Sequence, residues 1–102
     1  MERRAVERIA ANIDARFLCS NVFYSGTVLN LSEKGMFIRT RKYFPSNTRF
    51  VVVISSDDDL LKVMVRVKRI IMGDADYDGM GVEIVNSDAD YLEFVNRLKA
   101  AA

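Results

Sequence analysis

Histidine is absent from this 102-residue chain, and cysteine occurs once, at Cys19. The first absence removes the commonest general base and the commonest metal ligand together, so the sequence reads as a non-enzyme. A single thiol can neither close an internal disulfide nor build a cysteine-rich metal site, which predicts a reducing, cytoplasmic setting. No run approaches the roughly 18 apolar residues of a membrane span. The charged start Met1-Glu2-Arg3-Arg4 has no apolar run behind it, as a secretion signal would require. Membrane insertion is not expected. A glycine-rich phosphate loop is also missing, which removes another route to catalysis.

What is present suits one small globular domain: 50% of residues are hydrophobic and 28% are charged. The net charge of +1 says little, but its distribution is informative. Three arginines fall within the first eight residues, while acids gather at Asp57–Asp59 and Asp74–Asp78. Such separation favours a small anionic ligand over a long nucleic acid, which usually demands a broader basic face.

From about residue 13 the dominant period is two. Ile13, Ala15, Phe17 and Cys19 alternate with Asp14, Arg16, Leu18 and Ser20, and Ser20-Asn21 reads as a turn. Val22–Leu31 predicts a second strand and Met36–Thr40 a third, with turn-forming residues between them. Phe44-Pro45-Ser46-Asn47 reads as a loop. Arg49–Ser55 predicts a fourth strand, and its unbroken Phe50–Ile54 run suggests burial on both faces. Leu61, Val63, Val65 and Val67 alternate with Lys62, Met64, Arg66 and Lys68 in a fifth, and Met80–Val85 makes a sixth. The period then changes. Ser87 reads as an N-cap with Asp90 as a weak capping-box partner, and Tyr91, Phe94, Val95 and Leu98 share one helical stripe. Closing six strands into a barrel removes exposed edges, and the terminal amphipathic helix can cover an end.

Two motifs stand out. The first is Arg4-x-x-x-Arg8, ahead of any strand; the second is Asn30-x-Ser32-x-x-Gly35, at the corner between the second and third strands. Alone, the first reads as solvated charge. The second reads as an ordinary turn, in which Asn and Ser bond local backbone and Gly35 supplies a positive φ. Their order and their barrel context make them more telling together, because Arg8 and Asn30 are 22 positions apart with nearly two strands between them.

In these motifs, in the Gly35–Thr40 strand, the Phe44-Pro45 turn, the Gly81-Val82-Glu83-Ile84 strand and the terminal helix, the chain resembles the PilZ domain family. The resemblance implies an all-β fold, a six-stranded antiparallel barrel with one C-terminal helix. It divides a single domain over 1–102 into a ligand-binding N-terminal segment (1–12), the barrel (13–86) and the helix (87–100). The first segment lacks apolar anchoring, which predicts mobility. The resemblance further implies a cyclic di-GMP receptor with no other cofactor, acting in trans on an unidentified effector protein in motility, attachment, exopolysaccharide or virulence pathways. DNA and RNA are not expected partners.

The implied site residues are Arg3, Arg4, Arg8, Asn30, Ser32 and Gly35, and their chemistry fits the ligand. Arginine can fork onto a phosphate or guanine O6 and N7, and its plane can stack on a base. Asn30 and Ser32 can bond a guanine edge, and Gly35 lets a ligand approach the backbone. Many family members carry Asp where this chain has Asn30, so the bond here is neutral rather than charge-assisted. Arg3, directly before the first motif, occupies a position that in the family bears on whether one ligand or a stacked pair is held.

Three other readings stay in play. Asp74-Ala75-Asp76-Tyr77-Asp78-Gly79 begins like a calcium loop, but the position for a bidentate Glu falls on Val85, and the flanks read as strands. Arg39, Arg41 and Lys42 beside Phe37 and Tyr43 have the ingredients of a single-strand nucleic-acid surface. A PilZ-like module that binds only protein is the third.

Overall fold

The computed structural model describes residues 8–56, 59–73 and 78–101. The elements are β1 (Ile9–Cys19), β2 (Val22–Leu31), β3 (Gly35–Arg39), β4 (Arg49–Ser56), β5 (Asp59–Ile71), β6 (Gly79–Ile84) and α1 (Ala89–Ala101). All pairings are antiparallel, and the sheet closes in the order β1-β2-β3-β6-β5-β4. The six strands and single helix expected from periodicity are therefore all present.

Ser20 and Asn21 form a two-residue hairpin between β1 and β2, with φ of 53° and 65°. Positive φ at both central residues matches the right-handed twist of the strands they join, and Asn tolerates it well. Inward residues such as Phe17, Val28, Ile38, Val52, Val65 and Val67 fill the barrel and are fully buried. Phe17, Tyr24, Phe44 and Phe50 form a ring cluster, with centroids 5.3 Å apart for Phe44 and Phe50 and 5.9 Å apart for Phe17 and Phe44. From α1, Tyr91, Phe94 and Val95 join the same core.

Some boundaries differ from the periodic reading. β1 starts at Ile9 rather than residue 13, because a bulge between Ala10 and Ile13 breaks the alternation without breaking the strand. β5 begins at Asp59 and runs past Lys68 to Ile71, again through a bulge. The helix cap is Asp88, whose carboxylate accepts the Tyr91 backbone N–H at 2.9 Å. Ser87 instead donates its hydroxyl to the Glu33 carbonyl at 3.3 Å. No helix among the described residues is long and apolar enough to cross a membrane.

Candidate functional site

The corner between β2 and β3 is built by Ser32. Its Oγ accepts the backbone N–H groups of Lys34 at 3.2 Å and Gly35 at 3.3 Å, and its own N–H donates to the Gly35 carbonyl at 2.8 Å. Ser32 is only 4% exposed, and its hydroxyl shapes the turn from within. The helix seals this corner from behind. The Tyr91 hydroxyl, fully buried, donates to the Ser32 carbonyl at 2.6 Å. Lys99 reaches Glu33 at 3.5 Å, and the Ile84 N–H donates to the Lys34 carbonyl.

Burial holds the Tyr91 phenol far above its ordinary pKa of 10.0, with the Arg8 charge pulling weakly the other way. Because the folded-state pKa is raised, this tyrosine contributes stability that is complete below about pH 10 and lost as the pH climbs beyond it. Tyr91→Phe leaves the Ser32 carbonyl buried without its donor and is expected to cost about 1–3 kcal/mol near neutral pH. Urea unfolding should show that cost, and the variant should lose less stability than wild type between about pH 9 and pH 11.

Gly35 opens β3, paired with Glu83. The expected positive φ is not found, since no described glycine has one. Close approach explains the residue instead: a Cβ on Gly35 would stand 2.7 Å from the Val82 carbonyl oxygen and 3.9 Å from an Arg8 Nη atom. The strand is extended, and it lies too near β6 for a side chain on that side.

Arg8 and Asn30, one from each motif, meet directly. The Arg8 guanidinium donates to Asn30 Oδ1 at 2.5 Å, leaving the Asn30 amide N–H groups available. Asn30 faces outward because β2 is irregular between Val28 and Asn30, against Ile38 and Phe37 of β3. Strict alternation from buried Val28 would have turned Asn30 inward and Leu31 out. The irregularity reverses both.

From Asn30 a single row runs across four strands: Asn30 pairs with Phe37, Phe37 with Gly81, and Gly81 with Arg69. A second bulge, between Val67 and Arg69, leaves both Lys68 and Arg69 exposed on β5. Gly81 lowers the middle of the row, and Arg69 lies across it, with Cγ 3.4 Å and Nε 3.5 Å from where a Gly81 Cβ would be. The result is an open cleft of about 650 Å³ lined by Arg8, Asn30, Phe37, Lys68, Arg69 and Gly81, among others. Three cations, an amide and an aromatic face converge there, a set suited to phosphates joined to flat bases.

Phe37, Lys68, Arg69 and Gly81 were not among the site residues expected from sequence. The one available signal was the pair Lys68-Arg69 interrupting a strictly alternating strand, which is how a bulge reads. Arg3 and Arg4 lie outside the described residues, as do residues 74–77 of the acidic loop. Arg39, Arg41 and Lys42 do not line this cleft.

The architecture is a closed antiparallel barrel carrying a basic, aromatic-floored cleft on its outer wall. The sequence matches the PilZ domain over residues 2–100, and the chain belongs to that family. Similar solved folds include the inhibitor of motility MotI (DgrA) of Bacillus subtilis, with TM-score 0.80 and 16% identity. That match covers 99% of this chain but 52% of the other, so the chain spans about half that protein's length. The PilZ domain of YcgR from Escherichia coli, solved with c-di-GMP, gives TM-score 0.74 and 15% identity over 98% of this chain and 91% of that one. The PilZ domain of CeSA from a cellulose-synthesizing bacterium gives 0.70 and 17% over 91% and 98%. No curated protein matches the sequence.

Proposed function

We propose that this chain is a non-catalytic receptor for cyclic di-GMP that passes the signal to a partner protein. The observation carrying this reading is the row Asn30–Phe37–Gly81–Arg69 with Arg8 held against Asn30 at one end and Lys68 beside Arg69 at the other. Support also comes from the shared fold of the YcgR domain, which was solved with that ligand. Arg8, Lys68 and Arg69 face the phosphates, and the Phe37 ring offers a surface on which a guanine can stack. Asn30 Oδ1, with a second lone pair beside its bond to Arg8, accepts a guanine N–H. Ser32 and Gly35 serve by setting the corner that holds Asn30 and Arg8 in place. The neighbours named inhibitor of motility and CeSA, the latter from a cellulose-synthesizing bacterium, support a role in bacterial motility or exopolysaccharide production.

Isothermal titration with cyclic di-GMP tests the reading directly, and absence of binding overturns it. Stoichiometry tests the contribution of Arg3. A stacked ligand pair carries four phosphate charges and an extra guanine face, so a further cation beside Arg4 and Arg8 favours the pair. Two ligands per chain are expected, falling to one in Arg3→Leu while binding persists. A ratio of one in the wild type, unchanged by the substitution, removes Arg3 from the site.

A further inference from the structure

The barrel wall formed by β2, β1, β4 and β5 departs from the ordinary pattern of polar residues outside. Phe23 pairs with Leu18, Leu18 with Val51, and Val51 with Met64, so four outward apolar residues form one continuous row across four strands. Phe23 is 58% exposed and Met64 39%, while Leu18 and Val51 are half-buried between them. Two residues along the strands, Arg16 pairs with Val53 and Val53 with Lys62, which sets two exposed cations beside the apolar row. On its other side, also two residues away on β4, stands exposed Arg49. None of these three cations has an ion-pair or hydrogen-bond partner among the described residues. Asp14, two residues beyond Arg16, is the one acid among the described residues that line the groove over them. An open groove of about 950 Å³ runs over Arg16, Lys62 and the small residues Ser25 and Ser55, between the exposed Phe23 and Leu60.

We propose that this wall docks an acidic amphipathic helix of a partner protein. Strand spacing makes the Phe23–Met64 row about 14 Å long, and the cationic rows on either side lie about 13 Å apart. A helix is roughly 10–12 Å wide with its side chains and rises about 16 Å over 11 residues. It can therefore lie across the strands, with apolar anchors at i, i+4, i+7 and i+11 on the row and carboxylates on both flanks over Arg16, Lys62 and Arg49. A second copy of this chain is a poor occupant, because a two-fold contact would bring the same cations together. The wall is built from β1, the start of β2, β4 and the start of β5, whereas the cleft uses the end of β2, β3, β6 and the end of β5. Ligand and helix can be bound together.

The test uses isotopically labelled full-length chain and a synthetic helical peptide with Leu at the four anchor positions and Glu on both flanks. A twin peptide carries Lys for every Glu. Amide shifts should cluster at Arg16, Leu18, Phe23, Val51, Lys62 and Met64 with the acidic peptide and be absent with its twin. Charge reversal in Arg16→Glu with Lys62→Glu should weaken the peptide at least tenfold while leaving cyclic di-GMP affinity unchanged. The idea fails if the acidic peptide does not bind, if both peptides act alike, or if shifts centre on the Arg8–Asn30 cleft. It also fails if vesicles of phosphatidylcholine and phosphatidylglycerol compete the peptide away, which assigns the wall to a membrane surface. Self-association abolished by Phe23→Ser assigns it to a second copy and equally overturns the helix.

Discussion

Arg8→Ala is expected to weaken cyclic di-GMP binding by about 10-fold to more than 100-fold, with the melting temperature unchanged. A hydrogen bond to a charged group contributes about 1.5–3 kcal/mol, which sets that range. The side chain is exposed, so the fold depends little on it. Its position depends on the fold, however, because Asn30 Oδ1 holds the guanidinium at the rim of the cleft. Two variants separate charge from geometry. Arg8→Lys keeps the charge but loses the planar fork and should recover only part of the affinity. Asn30→Asp replaces a neutral bond by an ion pair with Arg8 and should keep or improve binding. Calorimetry on all three decides the matter, and wild-type affinity in Arg8→Ala removes the cleft from consideration.

Gly35→Val should damage both stability and binding. The added Cβ meets the Val82 carbonyl oxygen at 2.7 Å, so β3 must move away from β6. Overpacking of this kind costs about 1–3 kcal/mol, which lowers the melting temperature of a domain this size by about 5–20 °C. Affinity should fall with it, since Arg8 lies just beyond the blocked position. Gly35→Asn discriminates between causes. Asparagine tolerates a left-handed backbone, so it would be mild if a positive φ were what this position required. With a carbonyl in the way, Asn should be nearly as harmful as Val. Thermal melts of the two variants side by side distinguish these accounts.

The strands were legible because inward β-branched and aromatic residues alternate with polar ones, and the Ser20-Asn21 hairpin because few residue pairs accept two positive φ values. The pairing of Arg8 with Asn30 was legible only through the resemblance, since nothing local links residues 22 positions apart. What the period of two concealed was its own interruptions. Extra residues near Leu29 and at Lys68 shift the phase, and those shifts aim Asn30, Lys68 and Arg69 at the cleft. Alternation read in one unbroken phase cannot show where the phase slips. Gly35 was misread for a related reason: a sequence shows that a side chain is missing, but not whether torsion or a neighbouring strand forbids it. The Tyr91 bond to Ser32 spans 59 positions and had no local signature beyond a helical stripe.

Closure of the barrel has a consequence for how this molecule can be addressed. Each of the six strands already has a neighbour on both sides over part of its length, so no whole strand is left as an open edge onto which a partner could zip a strand of its own. Whatever docks here must read side chains. The architecture and the address are thus written in separate residues: inward ones hold the cylinder together, outward ones decide who is recognised. A few exchanges on the wall around Leu18 and Val51 could redirect the chain to a new correspondent without disturbing a single backbone bond of the cylinder, or the cleft across from it.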